Sequence, residues 1–150
     1  MKMQSIKKTF HAVKESKLSE VSSYILENYN EDRIFAISGE MGAGKTTLVK
    51  DLCRTLGVEI NMSSPTFALV NEYYYFPENS AENTPVYHLD FYRISNIKEA
   101  LDAGFEHYIY SGNYCFIEWP EKVESLLEDI AIRIKIEESG NQERNITIYN

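Results

Sequence analysis

Cysteine is scarce in this chain of 150 residues: there are two, Cys53 inside a helical pattern and Cys115 inside an apolar strand pattern, with no CxxC pair and no cluster of metal ligands beside either. That excludes a disulfide scaffold and a structural zinc module, and it fits two buried thiols in a reducing compartment. Long apolar runs are missing as well. Nothing approaches the roughly 18 residues of a membrane-spanning helix, and the opening stretch MKMQSIKKTFHAVKES, although basic, lacks the apolar core of about 7–15 residues that a secretory signal needs. A soluble, cytoplasmic protein is the expectation. Basic residues are outnumbered, 15 Lys and Arg against 23 Asp and Glu, which leaves a net charge of −8. Such a surface repels polyanions, and unaided binding to DNA or RNA would lack the counterion-release term that drives it. Any link to nucleic acid is expected to pass through a partner. Internal repeats, linkers and low-complexity tracts are also lacking, and the length suits one compact domain over residues 1–150.

What is present is a succession of short strand and helix patterns. Thr9–Val13 reads as a strand, and Lys17–Glu27 places Leu18, Val21, Ile25 and Leu26 on one helical face. Within Asp32–Ser38 the run Ile34-Phe35-Ala36-Ile37 is short, rich in branched and aromatic residues and closed by glycine, as a buried strand is. A glycine-rich turn then runs into a helix with Leu48, Val49, Leu52 and Leu56 on one side, stopped by Gly57. Pro65–Phe76 is too aromatic and β-branched for an exposed helix, and the polar turn Pro77-Glu78-Asn79-Ser80 ends it. The chain returns as a strand over Val86–Tyr92, so the two predict an antiparallel hairpin and a mixed sheet. Asn96–Ala103 reads as a short helix ended by Gly104, and Tyr114–Glu118 as another buried strand. Pro120 opens a helix, and Ile130–Ile136 with Asn145–Tyr149 read as a terminal hairpin across Gly140.

The turn carries the chemistry. Gly39, Glu40, Met41, Gly42, Ala43, Gly44, Lys45 and Thr46 satisfy GxxxxGK[ST], the P-loop pattern. Gly39, Gly42 and Gly44 permit the backbone conformations that turn successive N–H groups onto phosphate oxygens. Lys45 adds a mobile positive charge at the β- and γ-phosphates, Thr46 offers a hydroxyl to Mg2+, and the helix beginning there points its positive end at the anion. An acidic chain does not oppose this, because local amides, one lysine and the metal decide the field.

A P-loop also needs a carboxylate for the metal at the end of a neighbouring buried strand. Asp90 after VYHL and Glu118 after CFI fit. Asp90 is assigned to the magnesium shell; Glu118 is placed beside the metal near the γ-phosphate, where it orients or partly deprotonates the attacking water. Thr66, in Ser63-Ser64-Pro65-Thr66, reads either as a switch residue close to the γ-phosphate and metal or as part of a plain Ser/Thr turn. His88 and Asp90 share one face of a strand, yet an ordinary strand histidine is the simpler reading of His88. Trp119, next to Glu118, either packs or forms part of a nucleotide or partner surface.

GEMGAGKTTLVK, SSPTFALVNEY, VYHLDFYRI and FIEWPEKV, in that order and at these separations, resemble TsaE (YjeE), a bacterial family of small ATPases that take part in making threonylcarbamoyladenosine in tRNA. The four motifs span Gly39–Val123. The resemblance implies an α/β, P-loop NTPase-like three-layer fold with a mixed, mainly parallel central sheet and helices on both faces. It further implies ATP with magnesium as ligand, and TsaD and TsaB as partners, with tRNA met only indirectly through their complex. The family's P-loop lysine and threonines fall on Lys45, Thr46 and Thr47, its Walker B aspartate on Asp90, its glutamate–tryptophan pair on Glu118 and Trp119, and its switch threonine on Thr66. Only Arg93 among the arginines adjoins these motifs, so slow hydrolysis raised by a partner is expected. Two other classes stay open: a small-molecule kinase, for which the arginines are too dispersed, and a non-catalytic nucleotide-dependent binding module. A GTPase is weaker still, for want of an NKxD motif.

Overall fold

Apolar residues at every position, rather than at alternate ones, mark strands covered on both faces. In the computed structural model, which describes residues 5–59 and 69–150, those runs become the middle of one sheet. Its strands are β1 (Ile6–Lys14), β2 (Ile34–Ser38), β3 (Val70–Tyr75), β4 (Thr84–Asp90), β5 (Cys115–Glu118), β6 (Ile132–Gly140) and β7 (Glu143–Tyr149). The spatial order is β1-β7-β6-β2-β5-β4-β3. The four central strands, β6, β2, β5 and β4, are parallel. Both margins are antiparallel, β3 against β4 on one side and β1, β7 and β6 in succession on the other. The sheet is therefore mixed, with its parallel pairings concentrated at the centre. The hairpin expected between the tyrosine-rich segment and the next strand is the β3–β4 pair.

Helices cover both faces. On one, α1 (Leu18–Asn28) and α2 (Lys45–Leu56) bring Leu18, Val21, Ile25, Leu48, Val49 and Leu52 against Phe35, Ile37, Phe116, Ile134 and Ile146. Ser22 of α1 donates a hydrogen bond to Asp51 of α2 at 2.6 Å, which ties the two helices at a buried polar point. On the other face α3 (Ile97–Asp102), α4 (Phe105–Ile109) and a 3-10 segment over Pro120–Leu126 pack Ala100, Phe105 and Val123, with the neighbouring Phe91 and Leu127, onto Ala36, Leu89 and Ile117. Full burial of a side chain such as Leu52 contributes about 1.5–3 kcal/mol. No helix among the described residues is long and apolar enough to cross a membrane.

Several boundaries differ from the sequence reading. β4 stops at Asp90, not Tyr92, and α3 is capped by the Asn96 side chain, which accepts the Glu99 amide at 3.1 Å. Gly104 does end α3, but in its left-handed conformation (φ 91°) it also starts α4, a helix the sequence reading did not anticipate. The helix opened by Pro120 is 3-10 because Val123 (φ −130°, ψ 26°) leaves helical space and stops the ladder from propagating. β1 is longer than Thr9–Val13 and carries a bulge at Ala12 (φ 51°), whose amide is satisfied by the Asn145 side chain at 2.9 Å.

Burial pushes the thiols of Cys53 and Cys115 up to about 12. The expected outcome is that a water-soluble disulfide reagent at pH 8 modifies neither thiol in the native protein and both in denaturant. The folded pKa lies above the unfolded one, so the thiols leave stability untouched below about pH 9 and reduce it as pH climbs toward 12. Urea midpoints across that range check the sign.

Candidate functional site

The loop between β2 and α2 is shaped by its neighbours. A Cβ built on Gly39 would lie 2.5 Å from the Ile136 carbonyl oxygen of β6, so no larger residue fits without moving that strand. Gly44, at φ 106°, is the left-handed residue from which α2 springs. Between them the Ala43 amide closes a turn onto the Glu40 carbonyl at 3.0 Å. The loop thus opens at the N-terminal end of a twelve-residue helix, where unpaired amides and the helix dipole favour an anion.

Lys45 is buried, with 5% of its surface exposed. Its ammonium donates to the Gly39 and Glu40 carbonyls at 2.6 and 2.8 Å and lies 4.2 Å from the centre of the Trp119 ring. Burial lowers its pKa, and the carboxylates of Glu118, Glu121 and Asp90 oppose that shift. Trp119 itself sits in left-handed backbone (φ 58°, ψ 49°), with its ring against Tyr92 at 5.1 Å. It both packs and lines the site.

The parallel register of β4 and β5 sets Asp90 directly beside Glu118. Glu118 is 2% exposed, and the Thr46 hydroxyl lies 2.9 Å from each of its oxygens, donating its one proton between them. His88, equally buried and two residues before Asp90 on the same strand face, places Nε2 2.5 Å from the Glu118 Oε2. His88 is therefore no ordinary strand histidine: together with Thr46 it holds the Glu118 carboxylate. Asp90 accepts the Tyr92 amide at 3.0 Å, which fixes its rotamer at the strand end.

Met41, Gly42, Gly44, Lys45, Thr46, Thr47, Asp90, Glu118 and Trp119 all line a cleft of about 300 Å³, together with Tyr92. Of the loop residues expected at a ligand, Gly39, Glu40 and Ala43 stay outside it and border the adjoining space toward β6. Thr66 lies outside the described residues. Gly44 and Thr47 also border a second cleft, of about 480 Å³, on the β6–β7 side, lined by Lys14, Leu18, Asn141, Gln142 and Arg144. Tyr92 and Arg144 were not foreseen; the only signal for Tyr92 was its place two residues after Asp90, and for Arg144 there was none.

The donor set suits a hard cation. A hydroxyl from Thr46 and carboxylates from Asp90 and Glu118 offer oxygen only, and no three His, Cys, Asp or Glu converge among the described residues. One or two carboxylates completed by a ligand's phosphates is how Mg2+ is commonly held.

A family profile described as "Threonylcarbamoyl adenosine biosynthesis protein TsaE" matches residues 12–146. Curated proteins called tRNA threonylcarbamoyladenosine biosynthesis protein TsaE are similar to this chain. That of Bacillus subtilis is 33% identical over 114 residues, 76% of this chain and 67% of its own length. That of Treponema pallidum is 31% identical over 118 residues, 79% and 82% of the two chains. The Nostoc protein is 32% identical over 156 aligned residues, 100% of this chain and 91% of its own. Among solved structures, YdiB of Bacillus subtilis superposes with a TM-score of 0.71 over 99% of this chain and 88% of that one; at 23% identity this likeness speaks for the fold. With a profile match across nearly its whole length and relatives above 30% identity, this chain belongs to the TsaE family.

Proposed function

We propose that the protein binds ATP with magnesium and hydrolyses it to ADP and phosphate, slowly alone and faster with partners, in support of threonylcarbamoyladenosine formation in tRNA. The observation that carries this reading is the convergence of Gly44, Lys45, Thr46 and Thr47 with Asp90 and Glu118 on one cleft. Amides and a lysine suit phosphates, and three oxygen-bearing side chains suit the metal. Membership of the family, and the names of the relatives, supply the tRNA modification. TsaD and TsaB are the partners this reading implies, and the net charge of −8 favours contact with tRNA through them rather than directly.

In the mechanism, loop amides grip the phosphates, and Lys45 exchanges the Gly39 and Glu40 carbonyls for phosphate oxygens. Thr46, Asp90 and Glu118 are the side chains that would hold magnesium, which when bound neutralises charge on the phosphates. Glu118, fixed by His88, orients the attacking water near the γ-phosphate. Thr66 remains part of the proposal as a residue ordered by that phosphate. With the acidic pair on the β5 and β4 side, the nucleoside end is directed to the opposite side of the loop. There the cleft of about 480 Å³ shares Gly44 and Thr47. No arginine among the described residues lines the catalytic cleft. An arginine supplied in trans raises such rates about 10³–10⁵-fold. A second reading, a nucleotide-dependent module without turnover, is favoured by one observation only: both oxygens of Glu118 are within reach of Thr46, and one also meets His88.

Calorimetry is expected to find magnesium-dependent ATP uptake that Lys45→Ala lowers by about a hundredfold or more; equal uptake by the variant would sink the reading. Glu118→Gln should keep affinity within a few fold and lower single-turnover hydrolysis by about 10²–10⁴. Unchanged turnover would favour the non-catalytic module. Steady-state ATPase assays of the isolated chain and of its mixture with TsaD and TsaB test the partner dependence, and equal rates would refute it.

A further inference from the structure

The hairpin of β6 and β7 lies alongside the glycine loop and touches it at both ends. Ile136 blocks Gly39 at one end, and its Cδ1 lies 3.5 Å from the place a Cβ on Gly44 would occupy at the other. The contact with a direction is polar. Arg144, opposite Glu138 in the ladder, donates from Nε to the Ala43 carbonyl at 2.6 Å, across 101 residues of sequence. Its remaining nitrogens are held by the hairpin itself, Nη1 on the Glu143 carbonyl at 3.1 Å and Nη2 toward Glu138 at 3.5 Å.

A trans peptide is planar, so the carbonyl of one residue and the amide of the next point in opposite directions. Fixing the Ala43 oxygen on Arg144 therefore fixes the Gly44 N–H away from it. Glycine at 44 accepts both the positive φ seen here and the negative φ that a turned peptide would give, so the residue itself does not settle the choice. We infer that Arg144 is a positioning residue of the anion site: its Nε–H holds the Ala43–Gly44 peptide in the orientation that presents the Gly44 amide to a bound phosphate. It acts through the loop backbone and through the donor at Nε, not through its charge. For its binding consequence the inference rests on the nucleotide reading; the orientation of the peptide does not.

The side-chain series available at this position separates the two roles. Gln carries an N–H at the position Arg uses for Nε, without the charge. Met puts a methyl there, and Lys puts a methylene there with its charge one atom farther out. ADP and ATP affinities by calorimetry are expected to fall about tenfold or more in Arg144→Met and Arg144→Lys, equally for the two nucleotides because the loop's amides face the phosphates they share. Arg144→Gln should stay within about threefold, and saturating turnover should change less than affinity in every variant. Recovery by Lys but not by Gln would assign the effect to charge and overturn the inference, as would full affinity in Arg144→Met. A second measurement needs no nucleotide: amide exchange of the 40–46 segment should quicken several-fold in the Met and Lys variants and not in the Gln variant. Unchanged exchange in all three would overturn the brace even if ATP binding is found. Failure of the wild-type chain to bind ATP, with the exchange pattern as expected, would instead refute only the nucleotide reading. Thermal midpoints of the variants without ligand confirm that folded proteins are compared.

Discussion

The closeness with which β6 passes the loop between β2 and α2 constrains the rest of the site. The Ile136 carbonyl occupies the space a side chain at Gly39 would need, so the chain leaving β2 passes β6 by a route that only glycine fits at this point. That route leaves Gly44 in left-handed space and starts α2 with Lys45 and Thr46 in its first turn. From the first turn, Thr46 reaches Glu118 on β5, and Lys45 reaches back to the loop carbonyls and the Trp119 ring. Sheet register does the remainder, since β4 and β5 run in parallel and end together on Asp90 and Glu118. The site is thus assembled from segments far apart in sequence by two kinds of close contact, one steric and one in the hydrogen-bonded ladder.

The charges of this site are satisfied internally. A buried ammonium and a buried carboxylate are costly unless each finds partners. Lys45 has two carbonyls and an aromatic face, and Glu118 has a hydroxyl and an imidazole. Under the nucleotide reading, a phosphate would displace the Lys45 contacts, and a cation would compete with the Thr46 proton and His88 for the Glu118 oxygens. Under the same reading such internal competition would lower affinity for the ligand. Two cations anchor the loop differently: Lys45 from inside, where the ligand would bind, and Arg144 from outside, where the hairpin is rigid.

Much of this was legible in the sequence, for identifiable reasons. Strands covered on both faces leave uninterrupted apolar runs, so Ile34–Ile37 and Tyr114–Glu118 were found nearly to the residue. The glycine spacing of the loop reflects backbone demands that no other residue meets. Asp90 and Glu118 were singled out because each closes an apolar run, and the β4–β5 register sets them side by side. What escaped depends on tertiary neighbours. Gly104 looks the same whether it only ends one helix or also begins another, and Pro120 begins an α-helix or a 3-10 segment according to what Val123 must pack against. His88 acquires its partner through the pairing of β4 with β5, and Arg144 through a hairpin about a hundred residues downstream of the loop. Neither pairing is written in local pattern. The Thr66 segment lies outside the described residues, so its expectation stands where the sequence left it.

On the side facing β6, the glycine loop is bordered by Glu40, Glu121, Glu137 and Glu138, with Lys135 paired to Glu137 and Arg144 to Glu138. Four carboxylates against two cations leave that rim acidic. An acidic rim of this kind opposes the approach of a bare polyanion more than that of one whose charge is largely cancelled by a divalent cation.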